Sequence, residues 1–149
     1  MTIEITVDDA LRSGARTALR VHPHPRRDTD VDLTGANLRG TDLYGANLAD
    51  ANLTGADLAD ATLPRANLTG ANLSGADFTG ANLTDANLSR ANLSRANFCD
   101  TVLCGADLSS TNLSSTNLSY SDLTRADLRG ANLMDALLSS ITLTGATLV

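Results

Sequence analysis

The stretch that decides the fold is ANLTGANLSGADFTGANLTDANLSRANLSRANF, residues 66–98, in which one five-residue unit follows another without an insertion. Outward from it in both directions, a large apolar residue stands at every fifth position from Leu33 to Leu148. It is Leu at all of these positions except Phe78 and Phe98. The residue two places before it is small, mostly Ala, and the residue between them is mostly Asn or Asp. Such a regular internal period predicts a repeat protein in which each unit packs on its neighbours.

A five-residue period fits neither of the regular secondary structures. In an α-helix, five residues turn roughly 140° beyond one revolution, so the leucines would spiral around the axis and leave no buried face. In one long strand, side chains alternate from face to face, so successive leucines would point in opposite directions. The chain must therefore turn once per unit. Ten of the eleven glycines lie two residues after the large apolar residue, where a tight turn favours residues that tolerate positive φ.

The unit, Ala-(Asn/Asp)-Leu-X-(Gly or polar), resembles that of the pentapeptide-repeat family, and the resemblance covers residues 31–149. It implies an all-β fold, a right-handed quadrilateral β-helix with four units, or about twenty residues, per coil. About six coils are then expected, and at a strand spacing of ~4.8 Å the stack is roughly 29 Å tall. Phe78 and Phe98 are twenty residues apart and should stack in one interior column. Arg65 and Asp85 have the same spacing outside the coil, where we expect an ion pair.

Residues 1–30 precede the repeat, and we assign them to an N-terminal cap with a linker to the first coil. Alternating apolar and polar residues over 2–7 predict a short strand. Asp8 or Asp9 can cap a helix that runs to about Val21, where a proline-containing linker begins. A solenoid needs such a cap because the open edge of its first coil would otherwise invite aggregation.

Charge and hydropathy exclude several classes of protein. The net charge is −6, and all of it lies on residues 31–149, because the arginines and acids of residues 1–30 cancel. An acidic chain without lysine argues against direct binding of nucleic acid, which needs clustered Lys and Arg. No run of residues approaches the ~18 apolar residues of a membrane helix, and no signal peptide opens the chain. We therefore expect a cytoplasmic protein that does not bind membranes.

No residues stand in a pattern typical of an active site or a metal site. His22 and His24 could share a metal ion, but no further ligands cluster near them in sequence, so an exposed linker is the simpler interpretation. Cys99 and Cys104 should point outward on neighbouring faces, beyond disulfide reach, as surface thiols. A convex rod also lacks the cleft that catalysis needs. We expect no enzymatic activity, no cofactor and no metal.

One exterior face of the predicted coil is more acidic than the others, with only Arg39 to offset its carboxylates. We call it the acidic face, and its acids are Asp57, Asp60, Asp77 and Asp100. A row of carboxylates on a narrow rod can imitate the phosphates of DNA, and the resemblance implies this action for family members that protect DNA gyrase. The simpler interpretation is a solvated face. A structural or protein-interaction scaffold is therefore our first hypothesis, and a DNA mimic that binds a type II topoisomerase is the alternative.

A second face should carry a ladder of asparagines in successive coils, with hydrogen bonds along the stack. Its members are Asn52, Asn72, Asn92, Asn112 and Asn132. We expect this ladder to be structural.

The last coil is more apolar than the others, since Leu137 stands where Asn or Asp is usual and Ile141 replaces a small inward residue. An apolar coil without a cap is either an interface or a frayed end. We expect a two-fold homodimer through this coil, with a monomer as the alternative. The resemblance implies the same, because gyrase-protecting members of that family are typically dimers joined at their C-terminal ends. The residues of the candidate interface are Leu137, Leu138, Ile141, Leu143, Leu148 and Val149.

Overall fold

A computed structural model describes residues 20–21 and 31–149. Its first elements are two short strands, β1 (Arg20–Val21) and β2 (Val31–Asp32). They pair antiparallel, with Arg20 opposite Asp32 and Val21 opposite Val31. Strand β1 therefore lies along the edge at which the repeat begins.

The prediction of a helix that runs to about Val21 is wrong for its last residues, because Arg20 and Val21 form a strand. An open strand edge presents unpaired backbone N–H and C=O groups, and pairing with a second strand satisfies them. This tertiary contact is invisible in a local pattern. The remainder of the predicted cap, with its strand over residues 2–7 and the two histidines, lies outside the described residues.

The repeat is held together by bridges between residues that are twenty positions apart. The residue before each large apolar one forms a parallel bridge with its equivalent in the next coil, from Asp32–Asn52 in steps of five to Asp127–Thr147. Two short backbone hydrogen bonds flank each bridge. Leu53 N donates to Asn72 O at 2.7 Å, and Asn72 N donates to Ala51 O at 2.9 Å. The spacing agrees with the four-sided coil expected from the sequence, whereas the number of coils and the N-terminal cap stay predictions.

Each corner of the coil has the same backbone conformation. The second residue after the large apolar one has φ between +56° and +72° at every fifth position from 35 to 145. A hydrogen bond closes the turn, as from Ala56 N to Leu53 O at 3.0 Å. Positive φ at the third of four residues is what a type II turn requires. Many corners are not glycine, and an L residue held there costs roughly 1–2 kcal/mol.

The inward side chains fill one dry column. The large apolar residue is buried at every repeat from Leu33 to Leu128. The rings of Phe78 and Phe98 stack with centroids 4.6 Å apart and 10° between their planes, which confirms the predicted pair. Where Thr replaces the small inward Ala, its hydroxyl finds a backbone acceptor, as Thr101 Oγ1 donates to Phe78 O at 2.7 Å. Within residues 31–149, no buried side-chain nitrogen or oxygen lacks a hydrogen-bond partner.

The predicted ion pair between Arg65 and Asp85 is wrong. Arg65 Nη1 donates instead to the Tyr44 hydroxyl, in the coil before it, at 3.3 Å. The Asp85 carboxylate lies over Gly105, in the coil after it. The two side chains leave their corners in opposite directions along the axis, so a spacing of twenty residues does not bring their charges together.

Candidate functional site

The coil places the four acids of the acidic face on one side of the solenoid. Asp57 and Asp77 form a parallel bridge with each other, so they lie in adjacent coils. Asp60 and Asp100 stand at corners with positive φ and are exposed, whereas the first pair is half-buried. The repeat alone determines this arrangement, because each acid occupies a fixed position in its unit.

The two bridging carboxylates also hold their own turns. Asp57 Oδ1 accepts a hydrogen bond from Ala59 N at 3.0 Å. Asp77 Oδ1 accepts from Thr79 N at 3.0 Å and from Asn97 Nδ2 at 3.2 Å. In each of the two, Oδ2 makes no hydrogen bond to another described residue. One oxygen of each carboxylate is therefore structural, and the other faces solvent.

The corner acids have partners of their own. Asp60 Oδ2 accepts from Arg39 Nη2 at 2.6 Å, in an ion pair whose side chains are 57% and 59% exposed for Arg39 and Asp60. An exposed pair of this kind adds little stability, but it cancels one of the four charges. Asp100 Oδ2 lies 3.6 Å from the Cys99 sulfur. Because Arg39 neutralises Asp60, the acidic face carries less net negative charge than its four acids alone would give it.

Both cysteines are free thiols, as predicted, but each is half-buried rather than the fully exposed surface thiol expected from the sequence. Burial and the carboxylate of Asp100 raise the pKa of the Cys99 thiol. Burial and Asp122, whose Oδ2 lies 3.2 Å from the sulfur, raise the pKa of the Cys104 thiol. A raised pKa leaves little thiolate near neutral pH, and the thiolate is the nucleophile. Neither sulfur has the environment of a reactive cysteine.

A second face carries the asparagine ladder. Asn92 Nδ2 donates to Asn72 Oδ1 at 3.3 Å, Asn112 Nδ2 donates to Asn92 Oδ1 at 3.1 Å, and Asn132 Nδ2 donates to Asn112 Oδ1 at 3.4 Å. The predicted ladder is confirmed over these four residues, and we call this surface the ladder face. Asn52 does not join it, and its Oδ1 accepts from Thr54 N and Thr54 Oγ1 instead.

A depression of about 560 Å³ runs along the ladder face, and we call it the serine groove. Its lining residues are Thr54, Ser74, Gly75, Asn92, Ser94, Arg95, Asn112, Ser114, Ser115 and Met134. The five-residue pattern did not predict this groove. Its signal is the recurrence of serine at positions 74, 94 and 114, twenty residues apart, beside an arginine at a corner.

The last coil exposes apolar side chains that earlier coils bury. Leu138 is 42% exposed and Leu148 is 52% exposed, whereas Leu118 and Leu128 are 1% and 3% exposed. The candidate interface residues have these positions: Leu137, Leu143 and Val149 are also exposed, and Ile141 is partly buried against the core. The backbone N–H groups in this coil that would donate to a following coil have no described acceptor. The coil therefore offers both apolar surface and an open strand edge.

Within residues 20–21 and 31–149, no helix has the length and apolar character needed to cross a membrane. No group of three or more His, Cys, Asp or Glu side chains in that part of the chain is arranged to hold a metal ion.

Comparison with known proteins identifies the repeat. The family model of pentapeptide repeats matches eight copies, over residues 29–63, 46–85, 81–119 and 111–148. No curated protein sequence matches the chain.

Solved structures include proteins that are similar to this chain. HetL, a pentapeptide repeat protein involved in heterocyst differentiation regulation in the cyanobacterium Nostoc sp. strain PCC 7120, is 38% identical with a TM-score of 0.58. The match covers 77% of this chain but 60% of HetL, so the chain spans less than two thirds of that protein. A pentapeptide repeat protein from the Arabidopsis thaliana thylakoid lumen is 35% identical over 72% of this chain and 65% of its own, with a TM-score of 0.37.

QnrB1, a plasmid-mediated fluoroquinolone resistance protein, is 23% identical over 80% of this chain and 70% of its own, with a TM-score of 0.50. At this identity the likeness concerns the fold alone. The family match and the structures of HetL and QnrB1 imply a right-handed β-helix. With its repeats matched over the whole of residues 29–148, the chain belongs to the pentapeptide-repeat family.

Proposed function

We propose that the chain is a non-enzymatic, cytoplasmic scaffold that presents ordered faces to a protein partner. The observation that carries this proposal is the way in which the outward side chains are fixed. The Asn or Asp before the large apolar residue accepts a hydrogen bond from the backbone N–H two residues later, as Asn92 Oδ1 does from Ser94 N at 3.2 Å and Asp122 Oδ1 from Thr124 N at 2.9 Å. Side chains that are already immobile lose little entropy on binding, so the exterior is preorganised for a partner.

The likeness to HetL supports a binding function rather than a chemical one. HetL is involved in the regulation of heterocyst differentiation. A regulatory role is compatible with a scaffold that acts through contact with another protein. The four faces of the coil can be tested separately for contact with the partner.

A photo-cross-linking scan tests the scaffold. A benzoylphenylalanine is placed at one outward position on each face, namely Ser94, Thr124, Ser109 and Ser119, which occupy the same place in their units. In the cells that make the protein, we expect adducts with one protein from one face or two adjacent faces. Adducts spread equally over all faces and many proteins, or no adduct from any face, would contradict the proposal.

A DNA mimic that binds a type II topoisomerase is the second candidate, and the acidic face favours it. Asp57 and Asp77 direct one oxygen each to solvent from adjacent coils, and Asp100 is exposed on the same face. Carboxylates at a coil spacing of ~4.8 Å form the kind of regular anionic row that a basic groove recognises. The neutralised Asp60 makes this row short, which is why the scaffold is our first proposal.

A supercoiling assay with purified DNA gyrase separates the two candidates. A DNA mimic inhibits the enzyme or protects it from a fluoroquinolone, and high salt removes the effect because the attraction is between charges. The double variant Asp57→Asn/Asp77→Asn should lose the effect while keeping its turns, since Asn Oδ1 accepts the same bonds. Asp107 and Asp127 also bridge adjacent coils, on another face, so Asp107→Asn/Asp127→Asn is the matched control. No effect at high protein excess leaves only the scaffold.

We also propose that the last coil forms a two-fold homodimer. Exposed apolar side chains at Leu137 and Leu148 support it, because burying one such side chain contributes about 1.5–3 kcal/mol. Sedimentation should give a dimeric mass that Leu137→Asp reduces to a monomer. Val102→Asp is the control, since Val102 is an outward apolar residue in an earlier coil and is 37% exposed. A monomeric wild type at micromolar concentration, or equal effects of both changes, would exclude the dimer.

A further inference from the structure

The last coil, residues 131–149, has opposite charges at two of its corners. Asp135 stands at one corner with φ of 59° and is exposed. Gly145 stands two corners further along the chain. The side chain of Arg125, from the coil before, lies over Gly145, with Cγ 3.5 Å from the point where a Cβ would stand. Because corners two apart in a four-sided coil are diagonally opposite, an acid and a base lie at the two ends of one diagonal.

Both charges are available to a partner. Within residues 20–21 and 31–149, neither the Asp135 carboxylate nor the Arg125 guanidinium makes a hydrogen bond or an ion pair. Arg125 is exposed, like Asp135, and its side chain continues beyond Cγ from a point that already lies over the last coil. A second molecule at the open end would therefore meet both charged groups.

Corner acids in earlier coils indicate where the Asp135 carboxylate extends. Asp50, Asp60 and Asp85 each place a carboxylate oxygen over the glycine at the same corner of the next coil. Within residues 31–149, these are the corner acids whose equivalent in the next coil is glycine. Asp135 has the same backbone conformation in the last coil. We therefore expect its carboxylate to extend past the open edge, where a glycine corner of another molecule could receive it.

The backbone of the open edge can pair with a second copy of itself. Between the last two coils, Leu118 N donates to Leu137 O at 2.8 Å and Leu137 N donates to Thr116 O at 2.9 Å. The equivalent groups of the last coil, Leu138 N and Ala136 O, have no partner among the described residues. In a copy turned over about a two-fold axis, the strands run antiparallel to those of the first, so that each N–H meets a C=O.

The corners decide how the second copy is turned. With the strand edges aligned, Asp135 can face the partner's Asp135, the partner's Ser140, the partner's Gly145 or the corner beyond the partner's Leu148. The first arrangement brings like charges together, which is unfavourable. A copy turned over about the diagonal through Ser140 exchanges the other two corners. Asp135 then lies over the partner's Gly145, as corner acids lie over glycine within the chain, and beside the partner's Arg125.

We propose that a second copy docks on the last coil in this register, with an ion pair between Asp135 of each copy and Arg125 of the partner subunit. This inference rests on the proposed homodimer and names the residues that orient it. The two-fold axis forms the ion pair twice. Burial of the exposed leucines provides the affinity, whereas exposed ion pairs add little to it and act on the orientation of the two copies.

Disulfide cross-linking tests the register. Facing corners should lie about 4.8 Å apart, the spacing of adjacent strands, which is within the reach of a disulfide. Single cysteines are introduced into a Cys99→Ser/Cys104→Ser background. Ser140 lies on the diagonal about which the copies turn, so Ser140→Cys should cross-link to its own equivalent under mild oxidation. Asp135→Cys should not, because it faces the partner's Gly145. A dimer that cross-links through Asp135→Cys, or through neither variant, overturns the register.

Charge reversal tests the ion pair by sedimentation at low ionic strength. Asp135→Arg and Arg125→Asp should each weaken the dimer about tenfold or more, since each turns two attractive contacts into repulsive ones. The two changes in one chain restore opposite charges across the interface and should recover most of the affinity. Arg65→Asp is the matched control, because Arg65 stands at an equivalent corner with φ of 59° in an early coil. It should leave the dissociation constant unchanged.

The outcomes separate this inference from the homodimer itself. A dimer that Leu137→Asp dissociates, but that neither charge variant weakens, overturns the ion pair and leaves the homodimer standing. A combined variant that associates more weakly than either single variant also overturns the ion pair. A monomeric wild type overturns both proposals.

Discussion

Oδ1 of Asp60 lies 2.7 Å from the point where a Cβ would stand on Gly80, one coil further along the axis. The same relationship joins Asp50 to Gly70 and Asp85 to Gly105. At these corners the acid extends over the next coil and takes the space that a side chain there would need. Asp100 is followed by Tyr120 instead, and its carboxylate contacts the Cys99 sulfur in its own coil.

Replacement of Gly80 by Ala should therefore cost more than replacement of Gly75. Both glycines have φ close to +70°, so both variants should lose roughly 1–2 kcal/mol through the left-handed conformation. Gly80→Ala also displaces the Asp60 carboxylate and its ion pair with Arg39, which we expect to add about 0.5 kcal/mol. Urea unfolding of both variants measures the difference. The difference in the free energy of unfolding between Gly80→Ala and Gly75→Ala should vanish when Asp60 is also replaced by Ala. If the difference persists in that background, the loss of stability comes from another contact.

Tyr120 is a bulky residue in a conformation that favours glycine. Its φ is 63° and its side chain is 62% exposed, so little packing is lost when it is removed. Tyr120→Gly should stabilise the protein by roughly 0.5 kcal/mol, since the strain relieved exceeds the entropic cost of glycine. Ser119→Gly, one residue earlier at an ordinary φ, should destabilise. The denaturant midpoints of both variants measure these changes. A loss of stability in Tyr120→Gly would contradict the claim that the backbone of Tyr120 is strained.

Phe98 should be the most costly of the inward residues to truncate, together with Phe78. It is fully buried and stacks on Phe78, so Phe98→Ala leaves a cavity between coils and should lose about 3–5 kcal/mol. Ser109→Ala, at an outward position, should change stability by less than ~0.5 kcal/mol. Thermal melting compares the two. Similar effects at both sites would contradict the assignment of inward and outward positions.

Protonation of Asp122 should account for part of the loss of stability of the coil at low pH. Hydrogen bonds from the Thr124 hydroxyl and the Thr124 N–H, and then from the Cys104 thiol, hold the pKa of this carboxyl below its ordinary value of 3.8. Because the pKa of Asp122 is lowered in the folded state, the ionised carboxylate contributes fully to the stability of the fold above pH 3.8. This contribution is lost as the pH falls through the pKa that Asp122 has in the folded protein. Asp122→Asn, which keeps the turn and has no charge to titrate, should lose less stability between pH 6 and pH 3 in urea titrations. An identical loss in both proteins would remove Asp122 from the acid transition.

The sequence alone predicts what the five-residue phase determines. Leu33, Phe78 and Phe98 must face inward, and the aromatic pair must stack, because covalent spacing places them there. The position of a residue in the five-residue repeat does not determine the direction in which a long or polar side chain extends outside the coil. Arg65 and Asp85 share a column yet extend in opposite directions, which depends on the local corner and its neighbours.

Features that depend on several side chains at once were also not predicted from the sequence. The serine groove exists because the short side chains of Ser74, Ser94 and Ser114 line up in successive coils, which depends on the packing of one coil on the next. The strand at Arg20–Val21 replaces the end of a predicted helix because it pairs with an edge that forms only when the chain folds. The strand is a tertiary effect for which the local sequence pattern contains no signal, whereas the groove has one in the serines at positions 74, 94 and 114.

The hydrogen bonds between coils also bear on chemical ageing. An asparagine deamidates when the backbone nitrogen of the following residue attacks its side-chain carbonyl carbon. Next to Asn92 and Asn112 that nitrogen is engaged, since Leu93 N donates to Asn112 O and Leu113 N donates to Asn132 O, both at 2.8 Å. Asn132 precedes Leu133, whose N–H makes no such bond within the described residues. A protein built on so many asparagines is thus protected along its length, and its slow chemical decay should begin at the open coil.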